Sequence, residues 1–358
     1  MGRKRTKSGK IRLAEVAELA GVSPITASRF FRNPEALSVA KRARVESAAR
    51  ELGYVPNLAA RALASQRTEV IAVLIPSLTN NVFSDVLRGI YDASEGSRYS
   101  IQLSNTRYSI LQEEKLLRLF LAQKPAGLIV TGIDQTAESR AMLEAADCPI
   151  VQIMELGPSP IDMMIGFSHY EAARAAVAHL FAKGCRRIGF IGARMDPRVQ
   201  RRLDGYVSAM KDAALFDPRL VVTTATPTSV TLGGTLFADL LPRQPDIDAV
   251  FCANDDLALG VLFECRRREI AVPEQIAIVG FNDLEFMASA VPTLTSVRTN
   301  RYEMGRVAAT MLIDAIEGRR PEQPVLDLGF KVIERQSSQA ERADSEPMVS
   351  GMVAGRTK

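Results

Sequence analysis

The sequence contains no apolar run approaching the roughly 18 residues that a membrane-crossing helix needs. Met1 to Lys10 is basic but no apolar stretch follows it, so no secretory leader is read there, and the expectation is a soluble, cytoplasmic protein. Cysteine is sparse: Cys148, Cys185, Cys252 and Cys265 lack CxxC spacing and do not cluster with histidine, which argues against structural zinc and a disulfide framework. The two histidines are His169 and His179, both on one candidate helix; His169 is expected near a cleft, His179 in packing or at the surface. There is no P-loop, and Gly189-Phe190-Ile191-Gly192 follows a candidate strand without completing GxGxxG. Asp255-Asp256 is a paired carboxylate that by itself would suit acid–base chemistry. No nucleophile–base pair or metal cluster accompanies it, so binding is favoured over catalysis, with no catalytic residue, metal or cofactor expected.

What is present points to a folded, multi-domain chain. At roughly 100–200 residues per domain, 358 residues suggest two or three domains. Hydrophobic residues at 47% and charged residues at 24% are globular values, which exclude a wholly disordered chain, collagen or a coiled-coil rod. Charge is unevenly placed. Residues 1–67 carry 14 Lys/Arg against 5 Asp/Glu, a net of +9, whereas the remainder carries a net of −5. A small basic segment on a mildly acidic body is the footprint of a nucleic-acid-binding head on a sensor or enzyme body; a solvated basic tail is the plainer alternative.

The pattern inside the segment favours the head. Leu13 to Ala20 has helical apolar spacing and ends at Gly21, which supplies the positive φ of a tight turn. Ser23 is a good N-cap and Pro24 suits the first helical turn of a second helix running to about Arg32. A third helix, about Val39 to Leu52, stops at Gly53. Two helices joined by a short glycine turn form a helix-turn-helix. Its second helix would expose Ile25, Thr26, Ser28, Arg29 and Arg32, residue types suited to phosphates and major-groove base edges. The next stretch, Tyr54 to Ala64, reads from its residues alone as a short linker helix capped by Asn57.

These residues carry a resemblance. AELAGVSPITASRFFRN and ELGYVPNLAARALAS resemble the two head motifs of the lactose-repressor family of bacterial transcription regulators, and similarity continues to about residue 335. The resemblance implies that Pro24, Ile25 and Arg29 read bases, that Ser23, Thr26, Ser28, Tyr54 and Asn57 touch the DNA backbone, and that Ala60 lies on a hinge helix whose Leu63 wedges into the minor groove.

From residue 70 onward short apolar runs alternate with helical patterns. Candidate strands are Val70–Ile75, Ser100–Leu103, Gly127–Val130 and Ile150–Ile153, then Arg187–Ile191, Leu220–Thr223, Ala249–Cys252 and Ile276–Gly280. Two series of βα units imply two α/β lobes with parallel sheets, preferred over one large doubly wound sheet. Ser168-x-x-Glu171 is a capping box opening the second lobe. Ligands of such sheets sit at the carboxyl ends of strands. Those ends carry Ser77 with Thr79 and Asn80, then Asn105, Thr131, Gln152 with Glu155, Arg194, Asn254 with Asp255 and Asp256, and Asn282 with Asp283, while Phe83 adds an aromatic face. Two polar rims facing each other suit a polyhydroxylated ligand. Arg198 and Arg202 share a helix face at i and i+4, and an anion would relieve their repulsion.

The resemblance implies a body of periplasmic sugar-binding-protein fold: a head at 1–55, a hinge at 56–68, and a two-lobed domain at 69–335. The N-lobe would span about 69–165 plus 296–322 and the C-lobe about 166–293 plus 325–335. The arginine three residues before a glycine-aromatic pair grips the effector in the family; here the pair is Gly205-Tyr206 and the arginine Arg202. By the same matching Asn254, Ser77, Phe83, Thr131 and Thr299 are contact positions. The sugar-binding aspartate of the family is Asn282 here, which suits an acidic effector better than a neutral sugar or a purine. IPSLTNNVFSDVLRGI, IGFSHYEAARAAV, GARMD and VFCANDDLALGVLFECRR resemble the gluconate-responsive branch, so gluconate or a relative such as 2-ketogluconate is the expected effector. The expected partners are a near-palindromic operator in double-stranded DNA and a second copy of the chain, with no membrane. Effector binding is expected to release the operator. The tail, 336–358, is polar and aperiodic and is expected to be disordered. Weaker readings are a sugar-metabolising enzyme, a transporter's binding component and a nucleoid-architectural protein.

Overall fold

The computed structural model describes residues 11–55 and 68–339. The chain divides near Thr68 into two compact units, each described by itself. The first holds α1 (Leu13–Ala20), α2 (Pro24–Arg32) and α3 (Val39–Leu52). Gly21 and Gly53 end α1 and α3 at φ 59° and 63°, the left-handed conformation that glycine adopts without steric cost. Ser23 caps α2 by accepting the Thr26 amide at 3.2 Å, with Pro24 in the first turn. Val16, Ala17, Ala20, Ala27, Val45 and Ala48 bury against one another, with Phe30, Phe31, Leu52 and Tyr54 around them. This is the helix-turn-helix expected from the sequence.

The second unit contains two six-stranded sheets. In chain order its strands are β1 (Val70–Ile75), β2 (Ser100–Asn105), β3 (Gly127–Thr131), β4 (Ile150–Ile153), β5 (Met163–Gly166), β6 (Ile188–Ala193), β7 (Val221–Thr224), β8 (Ala249–Cys252), β9 (Ala277–Asn282), β10 (Thr295–Thr299), β11 (Val325–Asp327) and β12 (Phe330–Ile333). One sheet runs β11-β5-β4-β3-β1-β2 and is parallel throughout; the other runs β12-β10-β9-β8-β6-β7 with only β12 antiparallel. Helices α4 (Val82–Ser94), α5 (Ile110–Ala122), α6 (Ala137–Glu144), α7 (His169–Ala182), α8 (Pro197–Asp212), α9 (Val230–Leu240), α10 (Asp255–Arg267), α11 (Phe286–Ser289) and α12 (Arg301–Ile316) accompany them. Strands buried on both faces explain the unbroken apolar runs, such as the fully buried Ile188 to Ala193. No helix among the described residues is long and apolar enough to cross a membrane.

The lobe boundaries differ from the expectation. β10 pairs with β9 and so belongs to the second lobe's sheet, although 296–299 were expected in the first. β11 pairs with β5 in the first lobe's sheet, although 325–327 were expected in the second. The chain therefore changes lobe after Gly166, at Asn300 and around Leu328–Gly329. These crossings are tied together: the Leu328 amide donates to the Gly166 carbonyl at 2.9 Å, and Asn300 Nδ2 donates to the Leu328 carbonyl at 2.9 Å. Residues 336–339 also depart from the expected disorder, because Ser337 and Ser338 are buried and Ser337 Oγ donates to the Ile278 carbonyl at 2.6 Å. Residues 340–358 lie outside the described residues.

Two glycines set how α12 returns to the first lobe. A Cβ on Gly305 would lie 1.9 Å from the Val86 carbonyl oxygen, and one on Gly89 would lie 2.1 Å from the Tyr302 carbonyl oxygen. An alanine in an open helix would gain up to about 1 kcal/mol over glycine. Here Gly305→Ala is expected to destabilise the body by about 1–3 kcal/mol through overpacking, read as a lower melting temperature. An unchanged or raised melting temperature would contradict the close packing of α4 on α12.

Candidate ligand cleft and nucleic-acid interface

On the head, α2 presents Ser23, Pro24, Ile25 and Arg29 as exposed residues, with Thr26 and Ser28 half-buried beside them. Ile25 is 71% exposed, an apolar side chain left in water beside a guanidinium. Tyr54 is half-buried, its ring 5.4 Å from that of Phe31. Asn57, Ala60 and Leu63 lie outside the described residues.

Between the lobes of the body lies a partly open cleft, lined by Asn80, Val82, Phe83, Tyr108 and Met154 from the first lobe, and by Asp196, Arg198, Val199, Arg202, Asn254 and Asn282 from the second. Its position at the strand ends follows the rule for parallel sheets. Asn80, Phe83, Arg198, Arg202, Asn254 and Asn282, all expected at the ligand, are among these. Ser77, Thr131, Gln152, Glu155 and Thr299 are not. Ser77 accepts the Thr79 and Asn80 amides and builds the turn into α4. Thr131 donates to the Leu74 carbonyl at 2.9 Å. Gln152 is consumed within its own lobe: Nε2 donates to the Gly132 carbonyl and Gln135 Oε1, while Oε1 accepts the Ile161 amide. Thr299 is buried, with Oγ1 lacking a partner among the described residues. Glu155 faces Arg201, whose Nε is 3.6 Å from its Oε2. Arg201 also grips Asp134 of the first lobe two-pronged, at 2.6 and 2.9 Å, and so ties the lobes together.

Arg202 is almost fully buried and held on three sides. Nε donates to His169 Nδ1 at 3.1 Å, Nη1 donates to Asn254 Oδ1 at 3.0 Å and to the Ala253 carbonyl, and the guanidinium lies 3.8 Å over the Phe281 ring. Because His169 Nδ1 accepts, its Nε2 carries the proton and donates to the Met154 carbonyl of the first lobe at 2.9 Å. Burial, with Arg202 adjacent, pushes the His169 pKa well down and keeps the ring neutral. Burial also lowers the Arg202 pKa to about 10, leaving it a cation at neutral pH. The Gly205-Tyr206 pair fixes this register by packing. A Cβ on Gly205 would lie 2.3 Å from the Tyr170 carbonyl oxygen of α7, and Tyr206 donates to the Ile188 carbonyl at 2.7 Å.

The sequence reading did not place Tyr108, Met154 or Asp196 in the cleft. Tyr108 and Met154 stand on left-handed backbone, φ 57° and 78°, which no local pattern announces. Asp196 had a signal: Asp-Pro opening a helix marks an N-cap. Its Oδ1 accepts the Arg198 amide at 3.2 Å and Arg198 Nε at 3.0 Å, and the nearby guanidiniums help hold its pKa below the usual carboxylate value despite burial. Arg198 stands over the Phe83 and Tyr108 rings at 5.7 Å each, and Arg194 stacks 4.0 Å over Tyr108. No three His, Cys, Asp or Glu side chains among the described residues could hold a metal ion.

The chain resembles known regulators in both units. Residues 12–57 match the family described as bacterial regulatory proteins, lacI family, and residues 177–338 match a periplasmic binding protein-like domain. The chain is 44% identical over 331 residues to the HTH-type transcriptional regulator GntR of Pseudomonas aeruginosa, covering 92% of this chain and 96% of that one. It belongs to the lacI family of bacterial regulatory proteins. Identity to GntR of Escherichia coli K12 is 39% over 318 residues, 89% of this chain and 96% of that one. The crystal structure of a lacI-family transcriptional regulator from Silicibacter pomeroyi is 35% identical, with a TM-score of 0.85 over 91% of this chain and 99% of that one. This lacI-family protein is thus a DNA-binding transcriptional repressor and not an enzyme, and the two-lobed architecture expected from the sequence is the one observed.

Proposed function

We propose that the protein represses genes for uptake or breakdown of a sugar acid, gluconate or a close relative such as 2-ketogluconate, and releases its operator when that acid enters the cleft. One observation carries the reading: the lining holds two guanidiniums, Arg198 and Arg202, against one carboxylate, Asp196. A monoanion neutralises that set; a neutral sugar leaves a desolvated positive charge. Asn80, Asn254 and Asn282 supply donors and acceptors for hydroxyls, and Asn282 Oδ1 has no partner among the described residues. The long stretches that resemble gluconate-responsive members support the same class.

On the DNA side, Pro24, Ile25 and Arg29 read bases and Ser23, Thr26, Ser28 and Tyr54 hold the backbone. By the family resemblance Asn57 joins these backbone contacts, and Ala60 and Leu63 are the positions that meet the minor groove, with Leu63 as the wedge. Two chains pair on a near-palindrome, in the cytoplasm where the operator is. Effector and operator then weaken each other reciprocally, typically by ~1–3 kcal/mol.

Thermal unfolding against gluconate, 2-ketogluconate, 6-phosphogluconate, ribose, galactose and hypoxanthine tests the effector class. A ligand at ~100 times its Kd adds ~2.7 kcal/mol, a shift of several degrees. A shift with one sugar acid alone is expected, and a shift with a neutral sugar or the purine instead would refute the reading.

A carboxyl in the field of Arg198, outside the cleft lining, also makes binding depend on pH. Burial raises the Glu113 pKa to about 7 even though Arg198 acts in the opposite direction, and Asp134 adds to the rise. Below that value Glu113 is neutral; above it a carboxylate competes for the field of Arg198. Affinity for a sugar acid is therefore expected to fall roughly 3- to 10-fold as pH rises from 6 to 8, the scale of one partly screened charge pair. Calorimetric titrations across that range should show Glu113→Gln with a flat profile. An equal slope in both proteins would assign the dependence elsewhere.

A further inference from the structure

The two guanidiniums of the cleft are not equivalent, and the difference lies in which N–H groups remain to be used. An arginine has five N–H donors, and a two-pronged grip on a carboxylate needs two of them side by side on different nitrogens. In Arg202, Nε is committed to His169, and both hydrogens of Nη1 to Asn254 and the Ala253 carbonyl. Only Nη2 is uncommitted among the described residues, so Arg202 offers one nitrogen and no fork. In Arg198, Nε alone is committed, to Asp196 at 3.0 Å, and neither Nη has a hydrogen-bond partner among the described residues. Both can donate together at the end of a guanidinium that lines the cleft.

That end is also held in place. Asp196 caps α8, Pro197 fixes the first turn, and the same Asp196 oxygen takes the Arg198 amide and Nε, so cap and guanidinium orientation are one structure. The rings of Phe83 and Tyr108 lie within 5.7 Å of the guanidinium carbon, and Tyr108 is itself fixed by accepting a hydrogen bond from Asn80 Nδ2 at 3.0 Å. Arg198 is only 11% exposed, so its charge acts with little screening by water.

We infer that Arg198 is the residue that selects an acid: its Nη1–Nη2 edge takes the effector's carboxylate two-pronged, while Arg202 with Asn254 serves the hydroxyl-bearing part. The assignment rests on the sugar-acid reading and deepens it. Arg202 thus contributes affinity for any polyol, and Arg198 the discrimination between an acid and the corresponding alcohol.

The test uses the full-length protein, titrated calorimetrically with gluconate and with glucitol, the same polyol bearing an alcohol in place of the carboxylate. Wild type is expected to prefer gluconate. Arg198→Gln is expected to lose roughly 10- to 150-fold in gluconate affinity, the scale of hydrogen bonds to a charged group, while glucitol affinity changes much less, so that the ratio of the two collapses. Arg198→Lys keeps the charge without the fork and should fall between. An Arg198→Gln protein that binds gluconate within threefold of wild type overturns the assignment and leaves the sugar-acid reading intact. A wild type that prefers glucitol overturns both, as does one that binds neither glucitol nor any of gluconate, 2-ketogluconate and 6-phosphogluconate. If Arg198→Gln lowers the melting temperature, the Arg198→Lys titration decides: wild-type gluconate affinity there also overturns the two-pronged grip.

Discussion

Arg202→Ala is expected to yield a repressor that still holds its operator and no longer lets go. The side chain joins Asn254, His169 and, through His169, the Met154 carbonyl of the other lobe, so one residue connects the ligand to the lobe arrangement. Truncating a hydrogen-bonded buried charge in a binding site costs about 2–5 kcal/mol, at least roughly 30-fold in effector affinity. Folding should suffer less. Among the described residues no carboxylate is hydrogen-bonded to Arg202, and burial lowers its pKa to about 10, so removing it relieves a burial cost while stranding its acceptors. The head is a separate unit with its own small core of Val16, Ala17, Ala20, Ala27, Val45 and Ala48. Operator affinity without effector should therefore remain within a few-fold of wild type, measured by fluorescence anisotropy on labelled operator. A variant released at wild-type effector concentrations would remove Arg202 from the response.

The head was legible because its determinants are local: Gly21 and Gly53 at left-handed positions, Ser23 capping α2, and apolar spacing on short helices. Central strands were legible as continuous apolar runs. β5, β10, β11 and β12 were not, because Thr295–Thr299 and Val325–Asp327 are short and mixed in polarity and owe their place to partners far along the chain. That is also why the lobe boundaries moved: pairing, not composition, assigns an edge strand to a sheet. In the cleft, strand ends pointed to the right ring of residues but not to which of them were already satisfied. Gln152 and Thr131 look identical in sequence to free polar groups, and only the fold shows their hydrogen bonds spent on Gly132, Gln135, Ile161 and Leu74. The same accounting separates Arg198 from Arg202.

Arg29→Ala is the counterpart test on the head, and its signature is specificity. Arg29 is exposed on α2, and Ala27, the buried residue two positions earlier, anchors the helix to the core, so the opposite face is free for a groove. A guanidinium forked onto guanine is worth ~1–3 kcal/mol of discrimination. The variant should lose about that much on its operator and much less on unrelated DNA, so the ratio of the two affinities collapses by roughly 5- to 150-fold. The slope of log affinity against log salt separates base reading from phosphate contact. Loss of a phosphate contact lowers its magnitude by about 1, whereas loss of a base contact leaves it nearly unchanged. An Arg29→Ala protein with the salt slope reduced and the specificity ratio intact would place Arg29 on the backbone, and base reading on α2 would then rest with Pro24 and Ile25.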